Sequence, residues 1–185
     1  MKNIMIMKKI KFIALLLLSA LLALILYIIL HETGHMIVML SAGARITDFS
    51  ILHAHVSSTS GNYTNFSDLW LQANGMFFPY VIGCVYGLLY NRNWKNTFYR
   101  FFSAVFLVST FFAVVAWIVI PFVYVPGTDP GGEDVTKFLF NFAQDHSPLL
   151  VSAGAAVLFA VGIVIMIRRG IIRNYIEEIK AAKQA

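Results

Sequence analysis

The 185-residue sequence holds one cysteine, Cys84, and five prolines, and only 12% of its residues are charged. A lone cysteine excludes a disulfide framework within the chain and cannot build a cysteine metal cluster. A soluble domain is about 25% charged, so an ordinary soluble enzyme is excluded as well. What fills the chain instead is apolar: 59% hydrophobic and 15% aromatic, with a mean hydropathy of +0.75. A chain this short keeps much of its surface exposed, and water offers that excess no refuge. The composition predicts an integral membrane protein. The net charge of +5 therefore reports membrane orientation first, and no nucleic-acid partner is expected.

A bilayer crossing takes about 20 helical residues, and four stretches are long enough: residues 12–40, 69–90, 98–124 and 148–167. The predicted fold is an all-α membrane protein of about four transmembrane helices, one domain over residues 1–185, with the bilayer as its surroundings. Twelve of the fourteen Lys and Arg residues lie on one side: they precede the first stretch, lie between the second and the third or at the third's start (Arg92, Lys95 and Arg100), or follow the fourth. Only Arg45 and Lys137 lie in the other two connections. The positive-inside rule then makes both termini cytoplasmic and turns residues 43–68 and 125–147 outward. A cleaved signal peptide is the rival reading of the N-terminus, but its apolar core would span only about 7–15 residues.

In the first outward loop, alternation from Ile46 to Val56 predicts a strand or hairpin ending at Ser60-Gly61-Asn62. In the second, a Gly/Pro turn is followed by Val135, Phe138, Leu139 and Phe142 at helical spacing, which predicts a short amphipathic helix from about Asp134. The final segment, Arg168 to Lys183, mixes isoleucines with basic residues, as a helix lying on anionic lipid does.

Chemistry concentrates at His31-Glu32-Thr33-Gly34-His35, an H-E-x-x-H motif inside the first apolar stretch. On a helix, residues four apart share a face, so both imidazoles converge on one Zn2+ ion while Glu32 stands beside it as proton acceptor and donor. Zinc lowers the pKa of a water it holds from about 15.7 to near 7. An ionisable group at the centre of a membrane helix costs about 2.5–3.5 kcal/mol, which argues for a function. Two histidines need a third ligand, and the metzincin extension is absent, since Val38 and Ser41 occupy its Gly and His positions. The candidates on the same side are Asp129, Glu133, Asp134 and Asp145 in the last outward loop, with His53, His55 and His146. Asp134 is preferred because it opens a helix able to hold it rigidly; Asp129 is second. His53 and His55, two apart, face one way in a strand and either form a second metal site, line a substrate path or are a plain surface pair.

These residues resemble the site-2 protease group of intramembrane zinc metalloproteases. That resemblance rests on the H-E-x-x-H motif with Gly34 before its second histidine, on the Asp-bearing segment Gly127 to Leu139, and on Ala73-Asn74-Gly75. It implies zinc-dependent hydrolysis of peptide bonds in a membrane or membrane-adjacent protein or peptide, with His31, His35 and Asp134 on the metal and Glu32 catalytic. The family's Leu-Asp-Gly form is missing here, which leaves Asp129 and Asp134 both in contention. Many members also place the metal toward the cytoplasm, whereas the charge pattern turns this site outward. The expected location is a multi-pass position in a bacterial cell membrane. The rival functions are a non-proteolytic metal-binding or transport protein and an inactive, protease-like adaptor.

Overall fold

A computed structural model describes residues 2–127 and 131–184. Asp129 lies outside the described residues. The first helix, α1 (Lys2–Ser41), runs without a break through the histidine motif. Two polar side chains in its apolar stretch are satisfied on the helix itself: Ser19 Oγ donates to the Leu15 carbonyl and Thr33 Oγ1 to that of Ile29, both at 2.6 Å. The helix stops in a Schellman motif: Gly43, at φ 76°, donates to the Leu40 carbonyl, and Ala44 donates to that of Met39.

The chain then forms an antiparallel hairpin of β1 (Arg45–Ser50) and β2 (His55–Thr59), paired from Arg45↔Thr59 to Ser50↔His55. Its turn falls at residues 51–54, within the alternating patch, with Ala54 at φ 45°. Ser60-Gly61-Asn62 instead returns the chain to α1, where the Asn62 N–H meets the Ala42 carbonyl at 2.9 Å.

Helix α2 (Asn65–Leu89) starts earlier than its apolar residues, because Thr64 and Ser67 form a capping box. Next come α3 (Thr97–Phe112) and α4 (Val114–Val123), which meet at Ala113 and make one span, then α5 (Asp134–Phe142), α6 (Leu149–Arg168) and α7 (Ile171–Gln184). Three stretches are long and apolar enough to cross a membrane: Lys9–Ser41, Thr97–Val123 and Leu149–Arg168. The fourth expected crossing, α2, has the length but not the apolarity, since Gln72, Asn74 and Gly75 occupy its first half and glycines recur in its second.

Large side chains fill the interior, among them Phe101, Phe106, Leu107, Phe111, Leu139 and Met166. Leu17, Leu21, Leu24, Val157 and Val164 lie exposed on the spans, an arrangement suited to lipid and prone to aggregation in water. The elements together make an integral membrane protein. Helix α5 docks on α2, where Asn141 Nδ2 donates to Asp68 Oδ2 at 2.5 Å.

Candidate metal centre

The site is assembled from α1, α2 and α5. His31 and His35, one helical turn apart, present Nε2 atoms 3.2 Å from each other. The first residue of α5, Asp134, brings Oδ2 to 3.1 Å from His31 Nε2 and 3.2 Å from His35 Nε2. Three donors around a tetrahedral zinc, with bonds of about 2.0–2.1 Å, stand about 3.3 Å apart. The observed triangle fits that ion. Glu32 is 3% exposed, and its Oε1 lies 4.0 Å from His31 Nε2, beside the triangle but outside it.

The surroundings aim these donors. His35 Nδ1 lies 2.8 Å from the Leu71 carbonyl of α2, an acceptor that fixes the proton on Nδ1 and leaves the Nε2 lone pair facing the cluster. Buried Asn74 donates through Nδ2 to the Gly34 carbonyl at 2.7 Å, clasping α2 to the motif. Glycine is required on both sides of this contact. A Cβ on Gly34 would overlap the Asn74 carbonyl oxygen, and one on Gly75 would overlap His35 Nε2 and come within 2.9 Å of His31 Cε1. Among the described residues His31 Nδ1, which is buried, has no hydrogen-bond partner, so of the two imidazoles His35 is the one held from behind there.

Burial would push the Asp134 carboxyl up; when His31 and His35 carry a proton on Nε2, their hydrogen bonds and charge outweigh it and hold the carboxyl well below the usual carboxylate range. With neutral imidazoles, as metal ligation needs, the Asp134 carboxylate is the charged ligand of the cluster, a donor set that suits a divalent cation.

A cavity of about 240 Å³ opens onto the cluster. Glu32, His35 and Met39 line it from α1, Ala54 to Val56 from the hairpin, Leu71 and Gln72 from α2, and Asp134 and Lys137 from α5. Concavities of about 500 and 530 Å³ at the far end of the bundle are larger, yet they lack this donor set.

Among the described residues, His31, His35 and Asp134 are the one group of three or more potential ligands within reach of a common ion. Glu133 is instead the residue before α5, and His146 packs its ring on Phe142. Asp145 is exposed. The two hairpin histidines do not share a strand, since His53 lies in the turn and His55 opens β2, and they do not share a partner: His53 Nδ1 meets Ser50 Oγ at 3.0 Å and His55 Nε2 meets Ser57 Oγ at 2.6 Å. Of the two, His55 reaches the cavity wall. The Leu71 carbonyl was invisible to sequence reasoning because every residue carries one. Lys137 was visible only as three residues beyond Asp134, a spacing that returns to the same face of α5.

No curated protein and no solved structure matches the chain. A family model, Peptidase M50B-like, matches residues 6–128, which takes in His31, Glu32, His35, Asn74 and Gly75 and stops short of Asp134. With its matched segment covering most of the 185 residues, this chain belongs to the Peptidase M50B-like family, a site-2 protease family.

Proposed function

We propose that the chain is a membrane-embedded zinc metalloendopeptidase in which His31, His35 and Asp134 hold the ion and Glu32 is the general base and acid. The observation that carries this reading is the near-equilateral triangle of His31 Nε2, His35 Nε2 and Asp134 Oδ2, 3.1–3.2 Å on a side, with the Glu32 carboxylate beside it. When bound, zinc supplies a Lewis acid for the scissile carbonyl and lowers the pKa of water. Glu32 takes the proton from the attacking water and returns it to the departing amine. Its near-complete burial keeps that proton from exchanging freely with solvent. The cavity between β2, α2 and α5 receives the substrate peptide, and Gln72, Lys137 and His55 are polar groups on its walls opposite α1.

The test is Glu32→Gln, reconstituted in lipid with a membrane-tethered reporter substrate and assayed beside its zinc content. Cleavage falls by about three orders of magnitude or more, as for loss of a proton-transfer group that also positions water, while zinc stays bound. Cleavage at the wild-type rate would sink the mechanism, and metal flux across the vesicle in its place would favour a carrier.

The charge pattern supports an outward-facing site with both termini cytoplasmic. His31 stands 20 residues, about 30 Å of helix, beyond Lys11. A reporter fused at Ala185 is expected inside the cell; its appearance outside would reverse the orientation.

A further inference from the structure

A second polar concavity, of about 530 Å³, lies where α2 and α6 end. Leu71, which abuts the metal cluster, is about 27 Å along α2 from Leu89, so this concavity and the cluster lie at opposite ends of the bundle, a separation close to the roughly 30 Å of a hydrocarbon layer. Arg92, Arg168 and Arg169 line it with Asn91 and Asn93. Its frame is fixed by hydrogen bonds. Arg169 Nη2 donates to the Tyr90 carbonyl, and Asn174, 2% exposed, donates through Nδ2 to Tyr90 Oη and the Arg92 carbonyl, each at 2.9 Å. From α3, Tyr99 Oη accepts the Asn91 N–H at 2.9 Å.

Three guanidinium groups thus share one concavity, and among the described residues none of them has a carboxylate within 4.0 Å. The acids of this end, Glu177 and Glu178, are engaged by Arg100 and Arg173. Arg169 Nε is buried with no hydrogen-bond partner. Arginines that line one concavity without a neutralising carboxylate, in a frame held by hydrogen bonds, match the several acceptor oxygens and negative charge of a phosphate group. Leu89, part of the lining, is 76% exposed, and Ile167, the residue before Arg168, is 61% exposed, so apolar surface adjoins the charged pocket.

We propose that Arg92, Arg168 and Arg169 form a binding site for a phosphate-bearing anion, with an anionic phospholipid headgroup as the source that the flanking Leu89 and Ile167 favour. Arg169, tied to Tyr90, is the fixed member; exposed Arg92 and Arg168 close on the ligand from either side. A headgroup held there bridges the ends of α2 and α6.

The test uses the full chain in detergent, stripped of lipid, with phosphatidylglycerol added and retained adducts counted by native mass spectrometry. The double variant Arg92→Gln/Arg168→Gln spares the Arg169–Tyr90 bond and keeps the fold, as circular dichroism verifies. It retains about tenfold less lipid than the wild type, whereas Arg173→Gln, outside the pocket, stays within about twofold. In a parallel arm inorganic phosphate is added to the lipid-loaded protein. Unchanged retention identifies a headgroup as the occupant, and displacement identifies a free phosphate; either outcome supports a phosphate site. Equal retention by the double variant and the wild type, or an equal loss in Arg173→Gln, would overturn it.

Discussion

Both ends of the helical bundle bury charged groups. Near the start of α3, Arg100, 8% exposed, donates through Nη1 to Glu178 Oε1 at 2.9 Å and through Nε to the Trp94 carbonyl at 3.1 Å. Thr97 Oγ1 donates to the other Glu178 oxygen, also at 2.9 Å. Opposite charges meet and the main polar atoms are used, so the pair is closed: it docks α7 on α3 and asks for nothing more. At the start of α5 the arrangement is open. Two imidazoles and a carboxylate bring three ligand atoms into one small triangle, with a second carboxyl group adjacent. Like acceptors do not gather in low dielectric for stability, because the desolvation cost is then uncompensated. What the contrast teaches is that burial of charge alone does not mark a functional site; an uncancelled set of donors does.

The sharpest way to break the comparison is to remove a donor from the open cluster. Asp134→Ala is expected to lower zinc affinity by about three orders of magnitude or more, beyond the roughly 10–100-fold of a supporting residue, and to abolish cleavage. Atomic-emission measurement of zinc per chain checks it. Full zinc occupancy in that variant would remove Asp134 from the metal and send the search to Asp129.

Gly75→Ala leaves every ligand in place and disturbs only their support. The new methyl group would press on His35 Nε2, the atom facing the cluster, and on the His31 ring. Zinc affinity is expected to fall about 10–100-fold, the range for changes that misorient a ligand, measured by competition with a chromogenic chelator. Binding at wild-type strength would show that the imidazoles have slack that this packing does not suggest.

Much of this was legible in the chain. The period of 3.6 places His31 and His35 together without any structure, and the apolar run into which Glu32 intrudes sets it apart as costly. The start of α5 was legible because Val135, Phe138, Leu139 and Phe142 change the hydrophobic rhythm just after Asp134. Two features were not. The start of α2 at Asn65 depends on a cap made by Thr64 and Ser67, ahead of the apolar residues that a hydropathy reading follows. The hairpin turn at residues 51–54 carries Ile51 and Leu52, so apolar alternation ran through it and hid the reversal. The role of Gly75 lies between these cases: a glycine in a helix is visible, but the imidazoles pressed against it come from forty residues away and appear only once α1 and α2 pack.

The smallest effect is expected from replacing the closed pair as a whole. Arg100→Met/Glu178→Leu exchanges two nearly buried charges for apolar side chains. A pair that already cancels itself returns, on removal, the desolvation cost that its attraction had offset. Trp94 is 54% exposed and lies in the loop before α3, so its carbonyl can turn to water when the Arg100 donor is gone. Stability of the double variant should stay within about 1 kcal/mol of the wild type, whereas Glu178→Leu alone should cost about 3 kcal/mol by leaving Arg100 buried with only the exposed Glu177 carboxylate, 4.0 Å away, as its charge partner. Thermal unfolding in a single detergent measures both, and zinc content and cleavage should not move in the double variant. If zinc is lost there as well, the two ends are coupled through α1 and α3, and the division between a closed, structural end and an open, chemical one fails.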